Sequence, residues 1–265
     1  MVMFRIMKKE KEEREEPNGR QRSLKYKDIV LRASDLDVLE GPCYLNDHII
    51  GFYFSYLSSL CGRNDVLFVP PSVSFWLANC DVDSRKAAME PLKFLSKRLV
   101  VFTVNDCDDL GGAESGTHWS TSVYDRCKNS FLHLDTMEGV NYDHAIKPYD
   151  SVKEFMGKAP VPSILTSSSL KAKTKEKDVA KQASKSEPTI AEPLFEESNV
   201  PQQTNGYDCG LYVMAIDKAV CECYSSGKSG KDADWFSAVQ RHVDASVEMT
   251  FRNEVLELIE DLRKN

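Results

Sequence analysis

The chain has 265 residues, a formal net charge of -7 and a pI near 5.4. Its 42% hydrophobic residues are enough for the core of one large or two small domains, and the sequence gives no sign of a second domain. The acidic balance does not indicate nucleic-acid binding, and no membrane span is expected because no run of about 18 apolar residues occurs.

The start of the chain, residues 1–23, is predicted to be a flexible extension because residues 8–16 form a dense run of mixed charges. Its short apolar beginning is too interrupted for a signal peptide, and its acidic residues argue against a transit peptide. The eight cysteines are therefore expected to be reduced thiols of a cytosolic or nuclear protein.

The cysteine spacing does not indicate a metal site. Cys221 and Cys223 are separated by one residue, which is one too few for the usual zinc or redox pair. We expect neither a structural metal nor a cofactor. The two cysteines are instead predicted to continue a helix that begins at Cys209.

Helices and strands follow one another from residue 24 onward. We predict helices at 46–60 and 72–80, strands at 98–105, 117–124 and 129–135, a helix near 150–156, a strand at 193–200 and then C-terminal helices. The last helix is predicted from apolar residues at helical spacing, namely Phe251, Val255, Leu258, Ile259 and Leu262. Strands flanked by helices indicate an α+β fold.

One region changes composition within the predicted domain, which spans residues 24–265. Residues 164–190 are rich in Ser and Lys and contain no aromatic residue, so they predict a flexible insertion. A tolerated surface loop and a role in recruiting substrate are both open for this insertion.

The segment QTNGYDCG at 203–210 leads directly into the apolar residues 211–216. It therefore places Cys209 at the start of a buried helix. Free backbone amides and the positive end of the helix dipole stabilise a thiolate there. Asp208, which directly precedes the cysteine, is suited to cap this helix. Cys209 is thus a candidate nucleophile that needs a base.

A base and a carboxylate lie on the two strands predicted on either side of residues 125–128. If those four residues form a hairpin loop, Tyr124 opposes Asn129 and His118 opposes Asp135. Opposed side chains lie roughly 5 Å apart at Cβ, so the imidazole and the carboxylate can hydrogen-bond. Such a bond fixes the histidine tautomer and favours the imidazolium formed when it takes the thiol proton. An ordinary hairpin with a surface His and Asp is the alternative.

Taken together, these segments resemble the Ulp/SENP family of ubiquitin-like-modifier proteases. The family order is seen in GTHW at 116–119, LDT at 134–136 and QTNGYDCG at 203–210. Three further segments are similar to the branch that acts on the neddylation modifier (Rub), the deneddylases: YLNDHIIGF at 44–52, EPL at 90–92 and NSF at 129–131. The resemblance covers most of residues 24–262 and implies the papain-like cysteine-protease superfold, with a central mixed sheet flanked by helices.

The resemblance implies an isopeptidase or endopeptidase that cleaves after the C-terminal Gly-Gly of the modifier. It makes Cys209 the nucleophile, His118 the general base and acid, and Asp135 the residue that orients the histidine. Gln203 is implied as the oxyanion-hole side chain, together with the backbone N–H of Cys209.

The resemblance also implies substrate contacts. Trp119 would wall a narrow channel that admits only two glycines, because a Cβ would clash there. Asn46 and Asp47 would contact the modifier, although capping of the predicted helix explains at least one of them. Tyr44, also assigned to the substrate site, stands where many relatives carry a tryptophan.

Three other functions remain open. The chain could be a SUMO or ubiquitin protease of the same fold, a catalytically inactive modifier-binding module, or an acetyltransferase similar to bacterial effectors with a like order of His, acid and Cys. The presence of all four catalytic residue types argues against the inactive module, and the contexts of Trp119 and Gln203 favour proteolysis. The expected partners are a modifier and its protein conjugates, with no nucleic acid or membrane, and nothing requires more than a monomer.

Overall fold

A computed structural model describes residues 23–108, 116–156, 192–225 and 234–264. Residues 1–22 of the predicted extension and the whole predicted insertion at 164–190 lie outside the described residues. The helices are α1 (Ala33–Leu39), α2 (Asp47–Cys61), α3 (Pro71–Asn79), α4 (Val82–Leu92), α5 (Tyr142–Met156), α6 (Cys209–Ser225), α7 (Trp235–His242) and α8 (Ser246–Lys264). The strands are β1 (Leu24–Tyr26), β2 (Ile29–Leu31), β3 (Val66–Val69), β4 (Leu99–Asn105), β5 (Trp119–Asp125), β6 (Ser130–Leu134) and β7 (Leu194–Ser198).

Five of the strands form a mixed sheet in the order β3-β4-β5-β6-β7. The outer pairs β3–β4 and β6–β7 are parallel, and the two central pairs are antiparallel. Helices cover both faces, so the predicted α+β class with a helix-flanked mixed sheet is confirmed.

Strand β4 shows why the sheet is buried on both sides. Leu99 and Val101 belong to the larger core, which includes α2 and α6, whereas Val100 and Phe102 belong to the smaller core under α3 and α5. A nearly continuous apolar strand is the pattern expected when both faces are covered.

The helix of the candidate nucleophile lies in the centre of the larger core. Residues 211–216 of α6 are all buried, as the sequence predicts. Cys221 and Cys223 do continue this helix. The C-terminal helix α8 buries Phe251, Val255 and Ile259, so its predicted apolar face is confirmed.

The predicted register of the β5–β6 hairpin is wrong by two residues. Asp125 pairs with Ser130 and Tyr124 pairs with Phe131, so the loop is 126–129. Asn129 belongs to the loop because its φ is 52°, a left-handed conformation in which asparagine is enriched. Since side chains alternate between faces, a slip of two leaves every side chain on its predicted face.

Candidate active site

Cys209 is the first residue of α6, as predicted. The carbonyl oxygen of Asp208 accepts hydrogen bonds from the backbone N–H groups of Leu211 and Tyr212, which starts the helix. The side-chain Oδ1 of Asn205 accepts from the N–H of Tyr207 and of Asp208, and so shapes the turn before the nucleophile. The thiol therefore lies at the positive end of a 17-residue helix.

The histidine and the aspartate predicted to act together are in contact. Nε2 of His118 lies 2.6 Å from Oδ1 of Asp135, and both side chains are buried. They do not oppose each other directly, because of the shifted register, but they share a face of the sheet and meet at its end. The predicted His–Asp hydrogen bond is therefore present with a different register.

The Asp135 carboxylate is held by two further donors. The backbone N–H of Met137 donates to Oδ1 at 3.0 Å, and the backbone N–H of Asn141 donates to Oδ2 at 2.9 Å. Burial by itself would raise the pKa of Asp135, but the hydrogen bonds from His118, Met137 and Asn141 outweigh burial and lower this pKa. Asp135 is therefore an ionised carboxylate that accepts a hydrogen bond from the N–H at Nε2 of His118.

With Nε2 engaged by the carboxylate, Nδ1 is the nitrogen of His118 available to the thiol. Nδ1 is buried, and its interaction with Cys209 is looser than an ordinary hydrogen bond. Burial by itself would lower the pKa of His118, but the hydrogen bonds and charges of Asp135 and Cys209 raise it from 6.5 to about 9. Catalytic hydrogen bonds are often long before substrate binds.

This raised pKa predicts an alkaline limit of activity. Below pH about 9 the folded protein keeps the imidazolium that protonates a leaving amine, and above it that proton is lost. The stability that protonated His118 contributes to the fold changes with pH in the same direction. It is fully present below pH 6.5 and is lost as the pH rises through about 9. Measurement of kcat/KM and of the thermal midpoint against pH should show both losses; activity that is flat well beyond pH 9 would contradict this role.

Gln203 lies in the loop before the nucleophile, where its backbone N–H donates to the carbonyl of Thr136 at 3.0 Å. Its side-chain Oε1 accepts from the hydroxyl of Thr136 at 2.8 Å, and Nε2 donates to the carbonyl of Asn205 at 2.6 Å. An amide nitrogen carries two hydrogens, so the second hydrogen of Nε2 is left for another acceptor. These bonds fix the orientation of the side chain before substrate arrives.

The predicted channel residue Trp119 links the start of β5 to the segment before α2. Its indole Nε1 donates to the carbonyl of Leu45 at 2.9 Å. A Cβ built on Gly210 would lie 2.9 Å from Cβ of Leu45, so glycine is required directly after Cys209. Cys209 itself is 0% exposed.

The other predicted substrate residues lie at the start of α2. Asn46 caps this helix, because its Oδ1 accepts from the N–H of Ile49 at 3.1 Å, and its Nδ2 donates to Asp35 at 2.8 Å. The capping alternative is therefore confirmed for Asn46. Asp47 is half-buried in the first turn of α2, and Tyr44 is 45% exposed.

Arg252 of α8 is a residue of the site that the sequence did not reveal. Its Nε donates to Oδ1 of Asp208 at 3.0 Å, Nη1 donates to the carbonyl of Val38 at 2.8 Å, and Nη2 donates to the carbonyl of Cys43 at 2.7 Å. The carboxylate of Asp208 thus pairs with this guanidinium and with Asn205. Arg252 ties the nucleophile loop to the segment that carries Tyr44 and Leu45.

Replacing Arg252 by alanine should lower the free energy of unfolding by roughly 3 kcal/mol or more, because it leaves a buried carboxylate without its cation. The side chain of Asp208 is 3% exposed. Lys218→Ala is the matched control, since Lys218 also links α6 to α8, through Glu254, but is exposed; about 1 kcal/mol or less is expected there. Urea unfolding measures both, and equal losses would contradict a buried role for Arg252.

Within the described ranges, no group of three or more His, Cys, Asp or Glu side chains is arranged to hold a metal ion. No helix among the described residues is long and apolar enough to cross a membrane. The arrangement supports nucleophilic acyl transfer by a thiol, a base and a carboxylate.

Comparison with known proteins agrees with this arrangement. Residues 110–250 match the model of the Ulp1 protease family, C-terminal catalytic domain. NEDD8-specific protease 1 of Arabidopsis thaliana is 36% identical over 241 residues, which cover 90% of this chain and 92% of that protein. Sentrin-specific protease 8 of Homo sapiens is 34% identical over 205 residues, covering 75% of this chain and 81% of that protein.

A solved structure shows the same fold. The C-terminal Ulp1 protease domain in complex with Smt3, the yeast ortholog of SUMO, aligns with a TM-score of 0.58 at 17% identity and covers 89% of this chain and 86% of that one. The fold and the family match thus define a cysteine protease with the Ulp1-like fold. The chain belongs to the Ulp1 protease family.

Proposed function

We propose that this chain is a deneddylase, a cysteine isopeptidase and endopeptidase that cleaves after the C-terminal Gly-Gly of NEDD8. The observation that carries the proposal is the likeness to a NEDD8-specific protease over 90% of the chain, including the segments that form the site. The buried Cys209, His118 and Asp135 supply the chemistry.

In the first half-reaction, the thiolate of Cys209 attacks the carbonyl carbon of the terminal glycine. Gln203 Nε2 and the backbone N–H of Cys209 hold the negative oxygen of the tetrahedral intermediate. The C–N bond then breaks as His118 gives the proton it took from the thiol to the departing lysine amine or peptide nitrogen. The products are a free amine and a thioester between the modifier and Cys209.

In the second half-reaction, water attacks the thioester carbonyl while His118 takes a proton from it. The C–S bond breaks, the modifier leaves with a free carboxylate, and the cysteine is regenerated. Precursor processing and deconjugation present the same glycyl group, so one site serves both reactions.

The shape of the cleft supports selection for glycine. Leu45 packs closely against Gly210 and accepts the indole hydrogen bond of Trp119, so little space surrounds the thiol. An extended tail without Cβ atoms is the substrate that fits between such walls. Tyr44 and Asp47, on the same side of the cleft, are the proposed contacts for the modifier, and Asn46 holds them in place by capping α2.

We further propose that the protein acts as a monomer in the cytosol or nucleus. The four proposed catalytic residues come from one chain, and none of the eight cysteines forms a disulfide in the described structure, as expected in a reducing compartment. NEDD8 and its protein conjugates are the proposed partners.

A panel of C-terminal fluorophore derivatives of NEDD8, SUMO and ubiquitin tests the modifier choice. We expect kcat/KM to be highest for NEDD8 by a factor of at least about 100, the effect of a few lost surface contacts. A preference for SUMO or ubiquitin would replace NEDD8 by that modifier. Cleavage of none would favour a modifier-binding module, or an acetyltransferase if acetyl transfer from acetyl-CoA is detected.

A further inference from the structure

A network of hydrogen bonds leads from Asp135 to the outer strand β7 of the sheet. The backbone N–H of Asn141 donates to Asp135 Oδ2 at 2.9 Å, and its side-chain Nδ2 donates to Ser120 Oγ at 3.0 Å. Ser120 Oγ lies 2.8 Å from His133 Nε2, and His133 Nδ1 lies 2.6 Å from Glu197 Oε1. These contacts connect α5, β5, β6 and β7.

The hydrogen bonds of this network run in one direction. An ionised Glu197 accepts only, so Nδ1 of a neutral His133 carries the hydrogen and Nε2 is an acceptor. The hydroxyl of Ser120 then donates to Nε2 and accepts from the amide of Asn141. The two central members, Ser120 and His133, therefore each give and receive a hydrogen bond, and pairing of this kind makes a buried polar network rigid.

Asn141 is placed as a helix cap but does not act as one. Its carbonyl accepts the N–H of Ala145 at 2.9 Å, so it stands directly before α5. Its side-chain oxygen, the atom that caps a helix, is buried with no partner among the described residues. By contrast, Asn46 uses that oxygen to cap α2. The amide of Asn141 is turned into the sheet instead, and a departure of this kind from the local rule is typical of functional positions.

Burying these polar side chains costs free energy, which supports a functional role for them. Asn141 and His133 are 0% exposed and Ser120 is 1% exposed, on a sheet face that otherwise carries the aromatic rings of Tyr124 and Phe131. Apolar residues would fill this space without the need for partners. Only the Asn141 end of the chain reaches a group that the proposed reaction uses.

We propose that Asn141 is a positioning residue for Asp135 and that Ser120 and His133, anchored by Glu197, hold it in place. The inference rests on the proposed function in taking Asp135 and His118 as the catalytic pair. When Ser120 loses its hydroxyl, the amide of Asn141 loses its shortest hydrogen bond and keeps only the longer ones to the carbonyls of Val104 at 3.4 Å and His118 at 3.5 Å. The backbone N–H of Asn141 then loosens on Asp135 Oδ2. The carboxylate then holds His118 less firmly.

The test is a titration of His118 by NMR in protein labelled at histidine Cε1. The chain has only five histidines, so their signals can be assigned one by one. For the unaltered protein the midpoint should lie near 9. We expect Ser120→Ala and Asn141→Ala to lower it by about one pH unit, since a hydrogen bond to the charged form is weakened. Ser122→Ala is the matched control: Ser122 is buried on the same face two residues on, pairs with His133 across the strands, and has an unpartnered hydroxyl.

Steady-state kinetics of the same variants provide a second test. Ser120→Ala should reduce kcat about tenfold with KM unchanged, as expected for a misplaced catalytic group, and His133→Gln, which retains an acceptor and a donor, should keep most activity. Glu197→Ala, at the exposed end, is the variant to use if Ser120→Ala does not fold; its effect should be smaller and in the same direction.

An unchanged His118 midpoint and unchanged kcat in Ser120→Ala and Asn141→Ala, equal to those of Ser122→Ala, would overturn the proposal. Because the titration needs no substrate, it separates this inference from the proposed function. A shifted midpoint in a protein that cleaves no modifier would leave the positioning role standing and remove the function.

Discussion

Cys209→Ala is expected to abolish turnover of a NEDD8 substrate while leaving NEDD8 binding within about twofold of the unaltered protein. The thiolate is the only group that forms the covalent bond, and removing a catalytic nucleophile costs on the order of 10⁴-fold or more. Binding is retained because the modifier contacts the walls of the cleft rather than the sulfur. Alanine is also smaller, so the closed channel gains room.

The measurement pairs single-turnover cleavage with calorimetric binding of mature NEDD8. Cys221→Ala is the matched control, because Cys221 is also buried on α6 but three turns from the helix start, where its thiol contacts the carbonyl of Leu57. That control should cleave at close to the unaltered rate. Cleavage by Cys209→Ala near the control rate would refute the assignment of the nucleophile.

Asp135→Asn is expected to reduce kcat by roughly 10²- to 10⁴-fold and to move the alkaline limit of activity to lower pH. An asparagine has one acceptor atom where the carboxylate has two. If its oxygen faces His118, its NH₂ group meets the backbone N–H of Asn141, and the opposite orientation presents a donor to Nε2. The second orientation forces the proton onto Nδ1, which then cannot take the thiol proton.

The pH profile distinguishes this loss from a general loss of structure. Without the charge and the hydrogen bond of Asp135, Cys209 is left to oppose the effect of burial on His118, so the pKa of His118 falls from about 9. Asp150→Asn, an exposed carboxylate on α5 paired with Lys153, is the control and should leave both rate and profile unchanged. An Asp135→Asn enzyme with an unaltered alkaline limit would contradict the role of the carboxylate.

Local patterns predicted the parts of the site that depend on sequence neighbours. The polar cap and apolar spacing of α2, the start of α6 at Cys209 and the buried face of α8 are all read within one or two helical turns. Counting outward from the predicted hairpin loop paired His118 with Asp135, and the family resemblance supplied their roles. The roles of the individual site residues stay predictions until variants are measured.

The hairpin shows the limit of counting residues. The sequence placed four residues in the loop, which is correct, but began the loop one position too early because Asn129 was treated as a strand residue. Its left-handed backbone and the hydrogen bond from Tyr124 Oη to its side chain place it in the turn.

Other elements have too weak a sequence pattern to be predicted. Strand β3 has four apolar residues, which suit a helix or a strand equally, and α4 buries only Met89. Arg252 reaches Cys43 across 209 residues of chain, and the diverted amide of Asn141 has the sequence appearance of an ordinary cap. Contacts of this kind arise from tertiary packing and produce no periodic pattern in the sequence.

The most direct test of the account is labelling of the purified protein by NEDD8, SUMO and ubiquitin that carry a C-terminal electrophile, with the modified residue located by mass spectrometry and Cys209→Ser as control. We predict rapid labelling by the NEDD8 probe, confined to Cys209 and absent from the serine variant. Labelling at another cysteine, or none by the NEDD8 probe, would contradict the account.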